Sequence, residues 1–143
     1  MLSDGMRRGL SVGGRSGLAS LFLLGALNKC LNYSDTIEGM TAVGLAPSNL
    51  LLPLTILLEM IGGIALVAGR LPAFYGGFAL AFFTLATNAF FHRFWTLSDP
   101  MASLELSLFF KNVAIAGALV FAAITEGERH TSDRRSQSEV TPV

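Results

Sequence analysis

"PLTILLEMIGGIALVAGR" occupies Pro53 to Arg70, and between those two residues only Glu59 is charged. A run this apolar needs a solvent that is itself apolar. About 20 helical residues cross roughly 30 Å of hydrocarbon, and the wider segment "NLLLPLTILLEMIGGIALVAG", about residues 49 to 69, has that length. Inside a bilayer no water is present to satisfy backbone N–H and C=O groups, so the segment is predicted to be a helix. The carboxylate then needs an explanation of its own. Glu59 lies about 14 Å into the span, where an acidic residue near a helix centre costs about 2.5–3.5 kcal/mol. Its helical neighbours at three and four residues include Thr55, Gly62 and Gly63, and small residues there let another helix come close. Glu59 is therefore expected to face other helices, away from lipid.

Three further segments have the same character: "SGLASLFLLGALNKCLNY" at about 16 to 33, "PAFYGGFALAFFTLATNAFFHRFW" at about 72 to 95, and "LELSLFFKNVAIAGALVFAAI" at about 104 to 124. The first has the shortest apolar core, Gly17 to Leu27, and follows Arg7, Arg8 and Arg15, which also fits a cleavable signal. No small-x-small cleavage site follows, and Lys29 before Cys30 spoils a lipoprotein signal, so a retained span is expected. Hydrophobic residues make up 52% of the 143-residue chain and charged residues 14%. Soluble domains carry about 25% charged residues, and helices of a soluble bundle need polar faces that the later three segments lack. The expectation is an all-α, integral membrane four-helix bundle.

The basic residues orient it. Arg7, Arg8, Arg15, Arg70, Arg129, Arg134 and Arg135 fall on one side of four spans, against Lys29, Arg93 and Lys111 on the other. By the positive-inside rule both termini are expected in the cytoplasm. Residues 1–14 then form a cytoplasmic N-terminal segment, 15–125 the four-span membrane domain, and 126–143 a disordered cytoplasmic tail. In the first outer loop, Asp35 and Glu38 resemble a capping box opening a short interfacial helix, with Gly44 and Pro47 ending it. The "RLP" loop at 70–72 makes the second and third spans antiparallel neighbours, with Pro72 in a first helical turn. Tyr33, Phe90, Phe91, Phe94, Trp95, Phe109 and Phe110 gather toward the outer face as an interfacial belt.

Polar groups recur on the small-residue faces: Asn28 and Lys29 in the first span, Asn88 and His92 in the third, Lys111 and Asn112 in the fourth. With Glu59 they make a candidate intramembrane polar site. Lys29, Lys111 and His92 are each a candidate partner for the carboxylate. One role is packing, through interhelical hydrogen bonds worth about 0.6 kcal/mol on average. The other is a pocket receiving a ligand or protons, since ionisable residues at this depth tend to be functional. Cys30 is expected to be a small apolar filler, and a single cysteine excludes an intrachain disulfide or a cysteine-built metal site. Only two histidines are present, one of them His130 in the tail, so two intramembrane histidines cannot clamp a haem within one chain. The sequence does not identify a catalytic residue, no metal ligand set is expected, and a formal net charge of zero gives no reason to expect nucleic acid.

With these residues in hand, the chain resembles the DoxX family of small four-helix bacterial membrane proteins. The resemblance covers roughly residues 15 to 124 and rests on "GALNKC", "MTAVGLAP", "LLEMIGGIALVAG", "NAFFHRFW" and "FFKNVAIAGALV" in that order. It implies a multi-pass protein of the bacterial inner membrane, with Lys29, Glu59, His92, Lys111 and Asn112 as recurring polar positions. The family takes its name from a membrane subunit of a thiosulfate:quinone oxidoreductase, and other members are associated with redox or oxidative-stress assemblies. The implied role is a membrane subunit in quinone-linked electron transfer, with a bound quinone, no cofactor within the chain, and a redox partner protein supplying electrons. The alternative is a non-enzymatic assembly partner or a small-solute or proton conduit.

Overall fold

The computed structural model describes residues 3–140, which are helical and joined by short connections. The elements are α1 (Asp4–Leu31), α2 (Tyr33–Ala42), α3 (Ser48–Ala68), α4 (Arg70–Phe91), a short 3-10 turn (Phe94–Thr96) and α5 (Met101–Val140). Among the described residues, α1, α3, α4 and α5 are long and apolar enough to cross a membrane. The all-α, four-span membrane bundle is as expected.

The helices pack in a bent row, α1 against α3, α3 against α4 and α4 against α5, with α1 also meeting α5 more sparsely. Small residues set that row by letting backbones approach. A Cβ on Gly62 would stand 2.6 Å from Leu80 of α4, and one on Gly63 would stand 2.9 Å from Leu23 of α1. Likewise a Cβ on Gly77 would stand 2.9 Å from Ala123 of α5. The core between them is Ala19, Phe22, Leu66, Leu80, Ala81, Ala116 and Leu119. Leu21, Leu24, Ile61, Ile64, Phe82 and Phe121 are exposed, and such a wide apolar surface belongs against lipid.

Several boundaries differ from expectation. α1 begins at Asp4, with the Ser3 hydroxyl accepting from the Met6 amide at 3.3 Å, so the 1–14 segment is helical from Asp4 and continuous with the helix of the first apolar segment. The expected disordered tail at 126–143 is helical as far as Val140. Its first turn is anchored through Glu126, with Arg129 ion-paired to Glu126 and Asp133 to Arg70. Residues 1–2 and 141–143 of those two segments lie outside the described residues. α4 ends at Phe91 rather than near Trp95, because His92 leaves helical geometry while its amide still bonds Asn88. Phe94, Trp95 and Phe109 then pack edge to face at that end.

The outer-loop helix α2 forms, but it is capped by Asn32 and starts at Tyr33, ahead of Asp35. Gly44 follows it at φ +86°, a conformation that glycine adopts without a Cβ penalty. α3 and α4 are joined by Gly69 alone, at φ +77°, and Pro72 sits in the first turn of α4, where the missing N–H costs nothing. The two helices are antiparallel neighbours, as the short loop requires.

Candidate functional site

Glu59 on α3 faces α1 and is 5% exposed. Lys29, in the last turn of α1, places its Nζ 2.8 Å from Oε1 and 2.9 Å from Oε2 of Glu59, donating to both. A Cβ on Gly25 would stand 3.6 Å from Glu59 Oε1, so bare backbone borders the carboxylate on the third side. The ammonium itself is less enclosed, with the Lys29 side chain 26% exposed. An ammonium has three N–H donors, and two are committed to Glu59. One remains for an acceptor arriving from outside the bundle.

The second cluster joins α4 to α5. Asn88 is 1% exposed. Its Nδ2 donates to the Phe109 carbonyl and its Oδ1 accepts from Asn112 Nδ2, each at 3.1 Å. One turn further along, His92 Nδ1 lies 2.7 Å from Glu105 Oε2. Both arrangements tie neighbouring helices together and satisfy polar atoms that lipid would leave unpaired.

The expected single polar site is therefore two separate clusters. Among the described residues, no hydrogen bond or ion pair links Lys29–Glu59 with Asn88–Asn112 or His92–Glu105. Helix pairing explains the division, because the first cluster lies on the α1–α3 contact and the second on the α4–α5 contact. Of the three candidate partners for Glu59, Lys29 makes the contact and His92 turns to Glu105. Lys111 is exposed, with no hydrogen bond or ion pair among the described residues. Asn28 is also exposed and accepts from Asn32 at 2.9 Å, away from Glu59. Cys30 is exposed rather than a packed filler. No group of three or more histidine, cysteine, aspartate or glutamate side chains gathers among the described residues to hold a metal.

A third polar cluster, at the opposite end of the bundle, was not expected. Arg15 (7% exposed) and Glu126 (2% exposed) meet there. Arg15 Nη1 donates to the Leu66 carbonyl at 2.8 Å, at the C-terminal end of α3. Glu126 Oε2 accepts from the Arg70 amide at 2.7 Å, at the start of α4. Each charge thus complements the helix dipole it meets. Arg129 Nη1 donates to Glu126 Oε1 and to Ser11 Oγ, both at 2.8 Å. A Cβ on Gly69 would collide with the Arg15 guanidinium. The available signal was that charges of opposite sign bracket the first and last apolar segments at the same membrane face.

Comparison with known proteins agrees with this architecture. The family model described as DoxX matches residues 10–93, from α1 through α4. The chain is 35% identical over 114 residues to the inner membrane protein YqjF of Escherichia coli K12, across 80% of this chain and 82% of that protein. It is 27% identical over 123 residues to the inner membrane protein YphA of the same organism, across 85% and 86% respectively. No solved structure matches.

Proposed function

As the chain belongs to the DoxX family and is a multi-pass inner-membrane protein, we propose that it serves as the membrane subunit of a quinone-linked redox assembly. One observation carries this reading: the partly exposed Lys29 ammonium, beside a buried carboxylate, has a third N–H donor that bonds no described residue. Reducing a quinone to a quinol consumes two electrons and two protons. In this reading the electrons come from a partner protein. Lys29 donates a hydrogen bond to a quinone carbonyl, and Glu59 passes protons toward it. His92–Glu105 is a second ionisable pair at the outer end of α4.

The test is purification with native lipids followed by quinone quantification. Native protein is expected to retain quinone, with Glu59→Gln and Lys29→Ala each lowering occupancy and Lys111→Ala leaving it unchanged. Full occupancy in both of the first two variants contradicts the reading.

A second reading, a non-enzymatic assembly partner, is favoured by Lys111. A cation on the exposed side of α5, within its apolar segment and without a partner among the described residues, suits an acidic group on another membrane helix. In that case Lys111→Leu abolishes co-purification of the partner while quinone content stays the same. We also infer that both termini face the cytoplasm, from the seven arginines on that side. A carboxyl-terminal fluorescent fusion is expected to fluoresce, and an alkaline phosphatase fusion at the same place to be inactive.

A further inference from the structure

The row of helices leaves α1 and α5 apart along most of their length, and a cleft of about 390 Å3 lies between them. Its walls are apolar: Leu10 and Leu18 from α1, Ala118 and Phe121 from α5. Leu10, Ala118 and Phe121 are exposed, so the cleft opens sideways onto the surface that lipid covers. Ser11, Arg15 and Thr125 line it as well. Because α1 and α5 run in opposite directions, Ser11 and Thr125 share one end of the cleft, and Leu18 and Ala118 the other. The seven helical steps from Ala118 to Thr125 give a run of about 10 Å along the helix.

The polar end has unbalanced charge. Two guanidinium groups, Arg15 and Arg129, surround one carboxylate, Glu126. Both Glu126 oxygens are already engaged, so the carboxylate offsets only one of the two guanidinium charges; Arg15 Nε, 3.4 Å from Oε1, is buried, and Arg129 is the guanidinium an external group can reach. The Arg129 side chain is 36% exposed and reaches the mouth of the cleft through Ser11. An acceptor with negative charge is the missing counterpart. It must also suit a place where apolar walls run inward from a basic rim at the level of the lipid headgroups.

We propose that this cleft is a binding site for one anionic phospholipid. An acyl chain lies between α1 and α5, and the phosphate meets the rim at the partly exposed Arg129 guanidinium, balancing the surplus charge of the Arg15–Glu126–Arg129 cluster. Bound in this way, the lipid fills the gap between the first and last helices of the row and closes the bundle.

The test uses the full chain reconstituted in vesicles of phosphatidylcholine with or without phosphatidylglycerol. Native mass spectrometry after extraction counts the lipids that remain bound. One retained phosphatidylglycerol per chain is expected, with phosphatidylcholine washed away. Ala118→Phe puts a ring into the cleft from an exposed position. Gly14→Leu does so from α1, where nothing lies within 4 Å of the added Cβ. Both variants are expected to lose the lipid while melting in detergent at the native temperature. Should Gly14→Leu fold poorly, Ala118→Phe carries the test alone. Arg129→Gln is expected to weaken retention about tenfold, the loss of one charge-assisted hydrogen bond. Unchanged retention in the folded cleft variants overturns the proposal, as does equal retention of phosphatidylcholine. Inorganic phosphate that stabilises the protein as much as phosphatidylglycerol also overturns it, since the acyl chain would then contribute nothing.

Discussion

A carboxylate within a membrane span needs an opposite charge close by, and Lys29 supplies it to both Glu59 oxygens. The inward orientation of Glu59 was legible because Gly62 and Gly63 sit one turn away and only a neighbouring helix makes use of bare backbone there. Its partner was not legible. Lys29, His92 and Lys111 come from similar depths, and only the order of helices in the row distinguishes them. Glu126 was overlooked for a related reason: a polar run after an apolar span has the composition of a solvated tail, yet its first acid turns back to α4. Removing one member of a buried pair leaves the other unpaired, at about 3–5 kcal/mol. Glu126→Ala is therefore expected to lower stability by about that much, because it strands Arg15. Lys111→Leu is expected to be neutral or stabilising, since it removes a charge from the lipid-facing side of α5. Thermal unfolding in a fixed detergent measures both.

At the scale of helices, all four spans were legible from apolar length, and the α3–α4 turn from its brevity. Helix ends were less so. α1 extends to Asp4 through Gly5, Gly9, Gly13 and Gly14, residues that weaken a helix. Its first turn is held by Ser3, and its middle by the Arg15 contact with α3. The two kinds of glycine here predict opposite outcomes. Gly62→Ala drives a Cβ to 2.6 Å from Leu80, and such overpacking is expected to cost about 1–3 kcal/mol. In Gly17→Ala nothing lies within 4 Å of the new Cβ, and the change is expected to stabilise by about 0.5–1 kcal/mol. Equal effects at the two sites would contradict the packing described. The continuation of α5 to Val140 depends on long-range anchors, Glu126 to the α3–α4 turn and Asp133 to Arg70, which no local pattern reveals.

The whole molecule is a row of four spans, tied near one face by Lys29–Glu59 and the Asn88–Asn112 and His92–Glu105 contacts, and at the other by Arg15–Glu126. Membrane class and family were legible in the sequence; the division of the polar groups into separate ties was not, because it follows from which helices touch. The quinone-linked reading rests on the first of those ties. A double-mutant cycle with Lys29→Met and Glu59→Gln, read by thermal unfolding of the purified protein, tests it most directly. Each single change is expected to cost about 3–5 kcal/mol, and the double change less than their sum by about 0.5–3 kcal/mol. Additive effects, or coupling of Glu59→Gln to Lys111→Met in place of Lys29→Met, would contradict the pairing on which the account depends.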